Sequence, residues 1–253
     1  GFALIWTLVF ATFATIILQS MAARLGVGAR LDLGEALMRT AGNPVLKGVL
    51  AVLILAALGL GNAAYEAGNL TGGALGIDAI IGDNGPSQTK NVVLVLSLLA
   101  AAVLLLGGYK IVEKLLIGLV LIMALSFTVS AILVRPDIGS MLSGLIPSVP
   151  EGGLLTAIAL IGTTIVPYNL FLHAAAARKR WKESDEETVA TAVADTGLSI
   201  GLGGLISILV LSTAAASLFG QSAEISSATD MAAAIEPTYG EFAKYLVGIG
   251  LFA

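Results

Sequence analysis

The segment GTTIVPYNLFLH, residues 162–173, places a proline and four polar side chains inside a charge-free run, residues 152–177. Pro167 has no backbone N–H and its ring clashes with the preceding turn, so the carbonyls of residues 162–164 lose helical partners. Non-helical backbone at membrane depth is tolerated only where it packs in protein or lines a cavity. We therefore expect a broken helix over residues 162–169 that lines a cavity; an ordinary proline kink is the alternative. The polar side chains at the break are those of Thr163, Thr164, Tyr168 and Asn169.

The composition around this segment predicts an all-α membrane protein. Apolar residues make up 57% of the 253 positions, charged residues make up 12%, and the mean hydropathy is +0.96. A spanning helix needs about 20 apolar residues, and the apolar runs lack the alternation of a membrane barrel. We expect a single transmembrane domain over residues 1–253, truncated at both ends, with six complete spans and part of a seventh. The predicted spans are 1–23, 48–77, 91–109, 115–134, 152–177, 190–219 and 241–253, which puts Asp78 and Asp83 in a loop.

Several classes of function are excluded by the polar residues. The net charge is −4 and the basic residues are dispersed, which argues against a nucleic-acid partner. No Cys and a single His exclude thiolate sites and multi-histidine zinc sites. Within the predicted spans there is no carboxylate pair and no nucleophile beside a base, so we expect no enzyme activity and no cofactor. The lipid bilayer is the expected surrounding.

The loops predict an orientation. Ten of the 13 Lys and Arg residues lie in alternate loops, at residues 24–47, 110–114 and 178–195. Positively charged loops stay in the cytoplasm, so these three loops are predicted to be cytoplasmic in a cell membrane, most simply a bacterial inner membrane.

The segment GTTIVPYNLFLHAAAARKRW resembles the sixth helix of the Nramp family of proton-coupled divalent-metal transporters, whose usual form reads Gly-Ala-Thr-x-Met-Pro-His-Asn. Three further segments look like other parts of that family: ILQSMAARLGVG (17–28), GYKIVEKLLIGLVLIMALSFTVSAILVRPD (108–137) and GLIPSVPEGGLL (144–155). The resemblance implies a leucine-transporter-like fold of inverted repeats, of which this chain covers helices two to eight. It also implies symport of a metal ion at the broken helices.

The resemblance locates a candidate substrate site. Carried over to this chain, the metal-binding carbonyl belongs to Thr163, the family's Met ligand is replaced by Val166, and its His is replaced by Tyr168. Asn169 and His173 match the family pattern. A thioether favours manganese, iron or cadmium over calcium and magnesium, so that preference is expected to fall here.

A second departure concerns the proton route. In LGLGNAAYEAGN, residues 58–69, the family usually has an Asp and a Glu, and the resemblance places Asn62 and Tyr65 at those positions. Glu66 is displaced by one residue, which is about 100° around a helix. The proton pathway implied by the resemblance would therefore involve Asn62, Tyr65, Glu66 and His173 in an altered form.

Three functions remain open from the sequence, and one of them, an intramembrane enzyme or a non-transporting receptor, is disfavoured because no catalytic pair falls inside the spans. The first is transport of a divalent cation, including a hard ion such as magnesium with part of its water shell, because carbonyl, hydroxyl and amide oxygens suit such ions. The alternative is transport of a small organic solute on the same fold, which the loss of Met and the presence of Tyr168, Thr163 and Thr164 would suit.

Overall fold

The computed structural model describes residues 2–82, 86–218 and 243–252, and every regular element in these ranges is helical. The helices are α1 (Ile5–Val27, after a 3-10 turn at Phe2–Leu4), α2 (Leu33–Thr40), α3 (Pro44–Ala56), α4 (Asn62–Ile81), α5 (Pro86–Leu106), α6 (Tyr109–Val134), α7 (Ile138–Ser143), α8 (Leu154–Thr164), α9 (Pro167–Arg180), α10 (Glu186–Leu218) and α11 (Ala243–Phe252).

Six helical stretches in these ranges are long and apolar enough to cross a membrane: Phe2–Val27, Pro44–Ile81, Ser87–Leu106, Lys110–Val134, Leu154–Arg180 and Glu186–Ala216. Their outer faces carry large apolar side chains, such as Leu104 and Leu105 of α5, which are 68% and 84% exposed. Exposed apolar faces of this kind are typical of contact with lipid or with further protein. The prediction of an all-α, multi-pass membrane protein is confirmed.

Several helices extend past the charge-free intervals that defined the predicted spans. Residues 110–114 form the first turn of α6 and not a loop, and the predicted loop 178–195 reduces to residues 181–185. The reason is that Lys and Arg at a helix end extend their head groups to water without ending the helix. The start of α10 is fixed by Asp185, whose carboxylate accepts the backbone N–H of Thr188 at 2.9 Å. That hydrogen bond holds the pKa of Asp185 below its usual value.

The predicted span 48–77 is longer in the structure and contains an irregular turn. It runs as Pro44–Ile81, with a π-helical turn at Ala57–Gly61 between α3 and α4. Its start is explained by Asn43, whose side chain accepts the N–H of Leu46 at 2.7 Å in front of a proline at the first helical position.

Asp78 lies inside α4 and not in a loop, which corrects the sequence-based expectation; Asp83 lies outside the described residues. The Asp78 carboxylate is 3% exposed and accepts hydrogen bonds from Gln88 Nε2 at 2.9 Å and Thr89 Oγ1 at 3.0 Å. These two polar partners stabilise a buried carboxylate and allow the helix to continue past it.

The described helices fall into two compact units. The site unit comprises Ala3–Tyr65 and Gly144–Ile208. In the site unit, α1 packs along α8 and α9 through small side chains, and its buried core contains Ala23, Val27, Ala177 and Ala192. Small residues let helix backbones approach closely in a membrane.

The second unit includes Glu66–Ser143 and Leu209–Ala253. Within it α11 packs on α6, where a side chain at Gly250 would meet the ring of Phe127. A side chain at Gly76 of α4 would likewise meet the carbonyl oxygen of Gly248. Close contact between small residues is therefore common to both units.

Gly26 provides a test of this packing in the site unit. A Cβ at Gly26 would overlap the carbonyl oxygen of Ala174 on α9, so we expect Gly26→Ala to lower the free energy of unfolding by about 1–3 kcal/mol through overpacking. Gly201→Ala is the matched control, because a Cβ there meets no atom within 4 Å. Melting of the purified full-length protein in detergent measures both variants. Equal melting temperatures for Gly26→Ala and the unmodified protein would contradict the close packing of α1 on α9.

Candidate functional site

The break between α8 and α9 covers only two residues. Ile165 (φ −93°, ψ 77°) and Val166 (φ −95°, ψ 122°) leave the helical region, and Pro167 begins α9 at its first position. The residue before a proline is driven to extended backbone, which explains Val166. Because Pro167 has no N–H, the carbonyl of Thr163 accepts no backbone bond from it.

The expected non-helical segment at residues 162–169 was too long. Residues 162–164 complete α8 and residues 167–169 open α9. The proline affects only the turn in front of it, and the N–H of Asn169 bonds to the carbonyl of Val166 at 3.1 Å, which closes the first turn of α9. The break therefore leaves backbone carbonyls without helical partners at one depth in the membrane span, and the chain is helical on both sides of it.

Beside the break lies a cavity of about 320 Å³ in the site unit, here called the break cavity. It is bounded by α1, α8, α9, α10 and the beginning of α4. Its polar lining consists of Thr12, Thr15, Gln19, Tyr65, Thr163, Thr164, Asn169 and Ser207, and its remaining lining of Leu8, Ile200, Gly203 and Gly204.

The Ser and Thr hydroxyls of the break cavity share one feature: each donates its proton to a backbone carbonyl. A hydroxyl has one proton and two lone pairs, so a hydroxyl that donates to the backbone can only accept from whatever enters the cavity. The donor–acceptor pairs are Thr12 to Leu8 (2.7 Å), Thr15 to Thr164 (3.5 Å), Thr163 to Ala159 (2.8 Å), Thr164 to Leu160 (2.9 Å) and Ser207 to Gly203 (3.2 Å).

Two amides complete the polar lining. Gln19 of α1 and Asn169 of α9 make no side-chain hydrogen bond among the residues that the structure describes. Each amide therefore offers a carbonyl oxygen and an NH₂ group to an occupant. No Asp, Glu, His, Lys or Arg belongs to the lining, and the described ranges contain no group of three or more His, Cys, Asp or Glu residues that could hold a metal ion.

The structure brings together four of the residues singled out in the sequence. Thr163, Thr164, Asn169 and Tyr65 line the break cavity. Tyr168 is not a lining residue, but its ring meets the ring of Tyr65 edge-on, with centroids 5.8 Å apart and planes at 69°. It therefore helps to hold Tyr65 in place.

The other candidate residues lie elsewhere. Val166 is in the break itself and is not among the lining residues. Asn62 opens α4 in the site unit, whereas Glu66 belongs to the second unit and accepts a 3.4 Å hydrogen bond from Asn69.

His173 has a defined partner on α10. Its Nε2 lies 3.0 Å from the Thr196 hydroxyl, which itself donates to the carbonyl of Ala192 at 2.8 Å. Because that hydroxyl proton is already used, His173 Nε2 is the donor of the pair. The histidine thus ties α9 to α10.

Sequence reasoning missed the contribution of α1. Thr12, Thr15 and Gln19 line the break cavity, and their spacing of three and four residues places them on one face of a helix. This polar stripe in a charge-free span, residues 1–23, was the signal that could have found them. Ser207 of α10 had no comparable signal, because it is one of several small polar residues in that helix.

The chain was compared with known families and structures. The family described as "Natural resistance-associated macrophage protein-like" (Nramp) matches residues 1–253. The "Divalent metal cation transporter MntH" of Yersinia pestis (strain Pestoides F) is 27% identical over 261 residues, covering 100% of this chain and 61% of that protein. The protein of the same name from Staphylococcus saprophyticus is 24% identical over 233 residues, covering 88% of this chain and 51% of that protein. This chain thus spans about three-fifths or less of the length of these relatives.

Solved structures show the same fold. A mutant of the Eremococcus coleocola manganese transporter has a TM-score of 0.74 and 23% identity, covering 100% of this chain and 55% of the other. The same transporter in complex with an aromatic bis-isothiourea substituted compound also has a TM-score of 0.74 and 23% identity, covering 99% and 55%. The likeness confirms the leucine-transporter-like helix bundle. Because the family match covers every residue, the chain belongs to the Nramp family.

Proposed function

We propose that the full-length protein is a secondary active transporter of a divalent cation and that the break cavity is its substrate site. Relatives covering the whole chain are named divalent metal cation transporters, which supports cation transport over an enzyme or a receptor. The alternative of a small organic solute is not favoured, because nothing among these relatives points to it.

The observation that carries the proposal is the direction of the hydroxyl hydrogen bonds. All five Ser and Thr hydroxyls of the break cavity donate to the backbone and turn only lone pairs to the interior. These lone pairs, together with the amide oxygens of Gln19 and Asn169, are complementary to a cation, or to water molecules that a cation orients with their protons outward. The carbonyls freed at the break add further oxygens.

The absence of charge and sulfur in the lining indicates the kind of cation. No Met belongs to the break cavity, so every polar atom it offers is an oxygen or an amide nitrogen. Magnesium-like ions prefer oxygen and keep several waters, which also limits the cost of placing two charges beside a lining to which the described residues contribute no charge. At ~30 Å³ for each water, the volume of the cavity accommodates an ion with several waters. We therefore propose a hard, partly hydrated divalent ion as substrate.

The proposal also covers the orientation of the protein in the membrane and the coupling of transport to protons. Charged loops predict that residues 24–47, 110–114 and 178–195 face the cytoplasm, and the bacterial origin of the relatives supports an inner-membrane location. Proton coupling is proposed from the family, with Glu66 and His173 as the ionisable groups of the predicted pathway. Glu66 accepts a hydrogen bond from Asn69, and His173 is hydrogen-bonded to Thr196.

The acceptor role of Thr163 can be tested by removing one oxygen. Thr163→Val keeps the shape of the side chain and is expected to raise the KM for magnesium about ten- to hundredfold, because a lost contact to a charged group is worth about 1.5–3 kcal/mol. Thr163→Ser is expected to retain uptake. Uptake into liposomes that contain the full-length protein is the measurement.

The matched control is Thr71→Val. Thr71 makes the same type of bond, to the carbonyl of Ala67 at 2.7 Å, on an exposed part of α4. The proposed site would be contradicted if Thr71→Val raised the KM for magnesium as much as Thr163→Val, or if Thr163→Val showed normal uptake.

The role of the break residue is tested through ion selectivity. Val166→Met is expected to raise cadmium uptake several-fold relative to magnesium if the rest of the full-length protein supplies a carboxylate ligand, because a thioether is a soft ligand placed where the family has one. Without such a carboxylate the change is expected to have almost no effect, because one thioether does not compensate a divalent charge. Val166→Leu is a control of similar size without sulfur and is expected to leave the ratio unchanged. Cadmium uptake by the unmodified protein that exceeds its magnesium uptake would show that Val166 does not set selectivity.

A further inference from the structure

A second pocket of the site unit lies where α1 and α9 end, and it shares no lining residue with the break cavity. Its volume is about 440 Å³. Four of its six lining residues are basic. The lining consists of Arg30, Asp32, Ala175, Arg178, Lys179 and Lys182, here called the basic pocket.

The charges of the basic pocket are unevenly balanced. Arg178 is paired with Asp32 at 3.2 Å and with Glu35 at 3.8 Å, so its charge is largely compensated. Arg30 donates to the backbone carbonyl of Trp181, which is a neutral acceptor. Neither Arg30 nor Lys182 makes an ion pair within the part of the chain that the structure describes. Net positive charge therefore remains on the side of Arg30 and Lys182.

Compensation of the helix dipole does not account for this excess. Basic residues in the last turn of a helix stabilise its carbonyl end, and Arg178, Lys179 and Arg180 occupy the last turn of α9. Arg180 faces Asp195 of α10 at 3.8 Å. Arg30 and Lys182 lie outside that turn, one following α1 and the other following α9, and they converge on the same pocket.

The place of the pocket indicates its occupant. It lies at the ends of two predicted membrane spans, Phe2–Val27 and Leu154–Arg180. Trp181, whose carbonyl holds Arg30, is partly buried against the small-residue core of the site unit. Tryptophan is enriched at the membrane–water boundary, and basic pockets between spanning helices bind the head groups of anionic lipids.

We propose that the basic pocket binds the phosphodiester head group of an anionic phospholipid, with Arg30 and Lys182 as its main contacts and Lys179 beside them. The Asp32 carboxylate repels an anion in the pocket, but its ion pair with Arg178 compensates part of that negative charge. The pocket therefore selects a singly charged phosphodiester held at the membrane surface.

The experiment titrates phosphatidylglycerol into the full-length protein in uncharged detergent and follows the melting temperature. Phosphatidylcholine and inorganic phosphate are titrated in parallel. Phosphatidylglycerol is expected to stabilise the protein more than the other two, and Arg30→Gln and Lys182→Gln are each expected to weaken its apparent affinity about fivefold. Lys182→Arg is expected to retain the affinity, and Lys47→Gln, an exposed charge outside the pocket, is the matched control.

Three results would overturn the proposal. Equal stabilisation by phosphatidylcholine would show that the head-group charge is not recognised. Equal stabilisation by inorganic phosphate would assign the pocket to a free anion. If Lys47→Gln weakened the apparent affinity for phosphatidylglycerol as much as Lys182→Gln, the binding would depend on overall charge and not on the pocket. Because Lys182 is exposed, its variant is expected to fold, and lipid retention in native mass spectrometry gives a second reading that does not depend on melting.

Discussion

Backbone hydrogen bonding inside the bilayer is the constraint on which the rest of this structure depends. Lipid offers no partner to a carbonyl, so a helix that loses a donor must be packed in protein or must line a cavity. Pro167 removes such a donor, and Ile165 and Val166 leave the helix in front of it. The packing of α1 along α8 and α9 surrounds this break, and the close contact at Gly26 lets α1 lie against α9.

The same constraint determines the chemistry of the break cavity. Threonine and serine hydroxyls in spanning helices satisfy their protons on carbonyls one turn earlier, because lipid cannot accept them. Thr12, Thr163 and Thr164 do this at 2.7–2.9 Å. The lone pairs that remain on these hydroxyl oxygens all carry partial negative charge. In the proposed function, these side chains offer the partial negative charge of their lone pairs to a cation.

The sequence predicted the membrane class, the family and the broken helix, because a proline and a cluster of polar groups stand out in an apolar run. It also identified Thr163, Thr164, Asn169 and Tyr65, which the structure brings together. It did not find Gln19, Thr12 or Thr15, since which face of α1 meets the break depends on tertiary packing. The predicted extent of the break was wrong because a proline disturbs one turn and not two. Charge was a poor guide to helix ends, as α6 and α9 show, and a buried carboxylate such as Asp78 needs partners that only the fold supplies.

Anomalous diffraction from crystals of the full-length protein in saturating Mn²⁺ is the most direct test that the break cavity is a cation site. Manganese takes oxygen ligands with an octahedral geometry like that of magnesium, and its anomalous signal locates it. We expect one peak in the break cavity, within reach of Gln19, Thr163 and Asn169, with water completing the shell. A cavity without a peak, in a protein that binds manganese elsewhere in its spans, would contradict the assignment of the site.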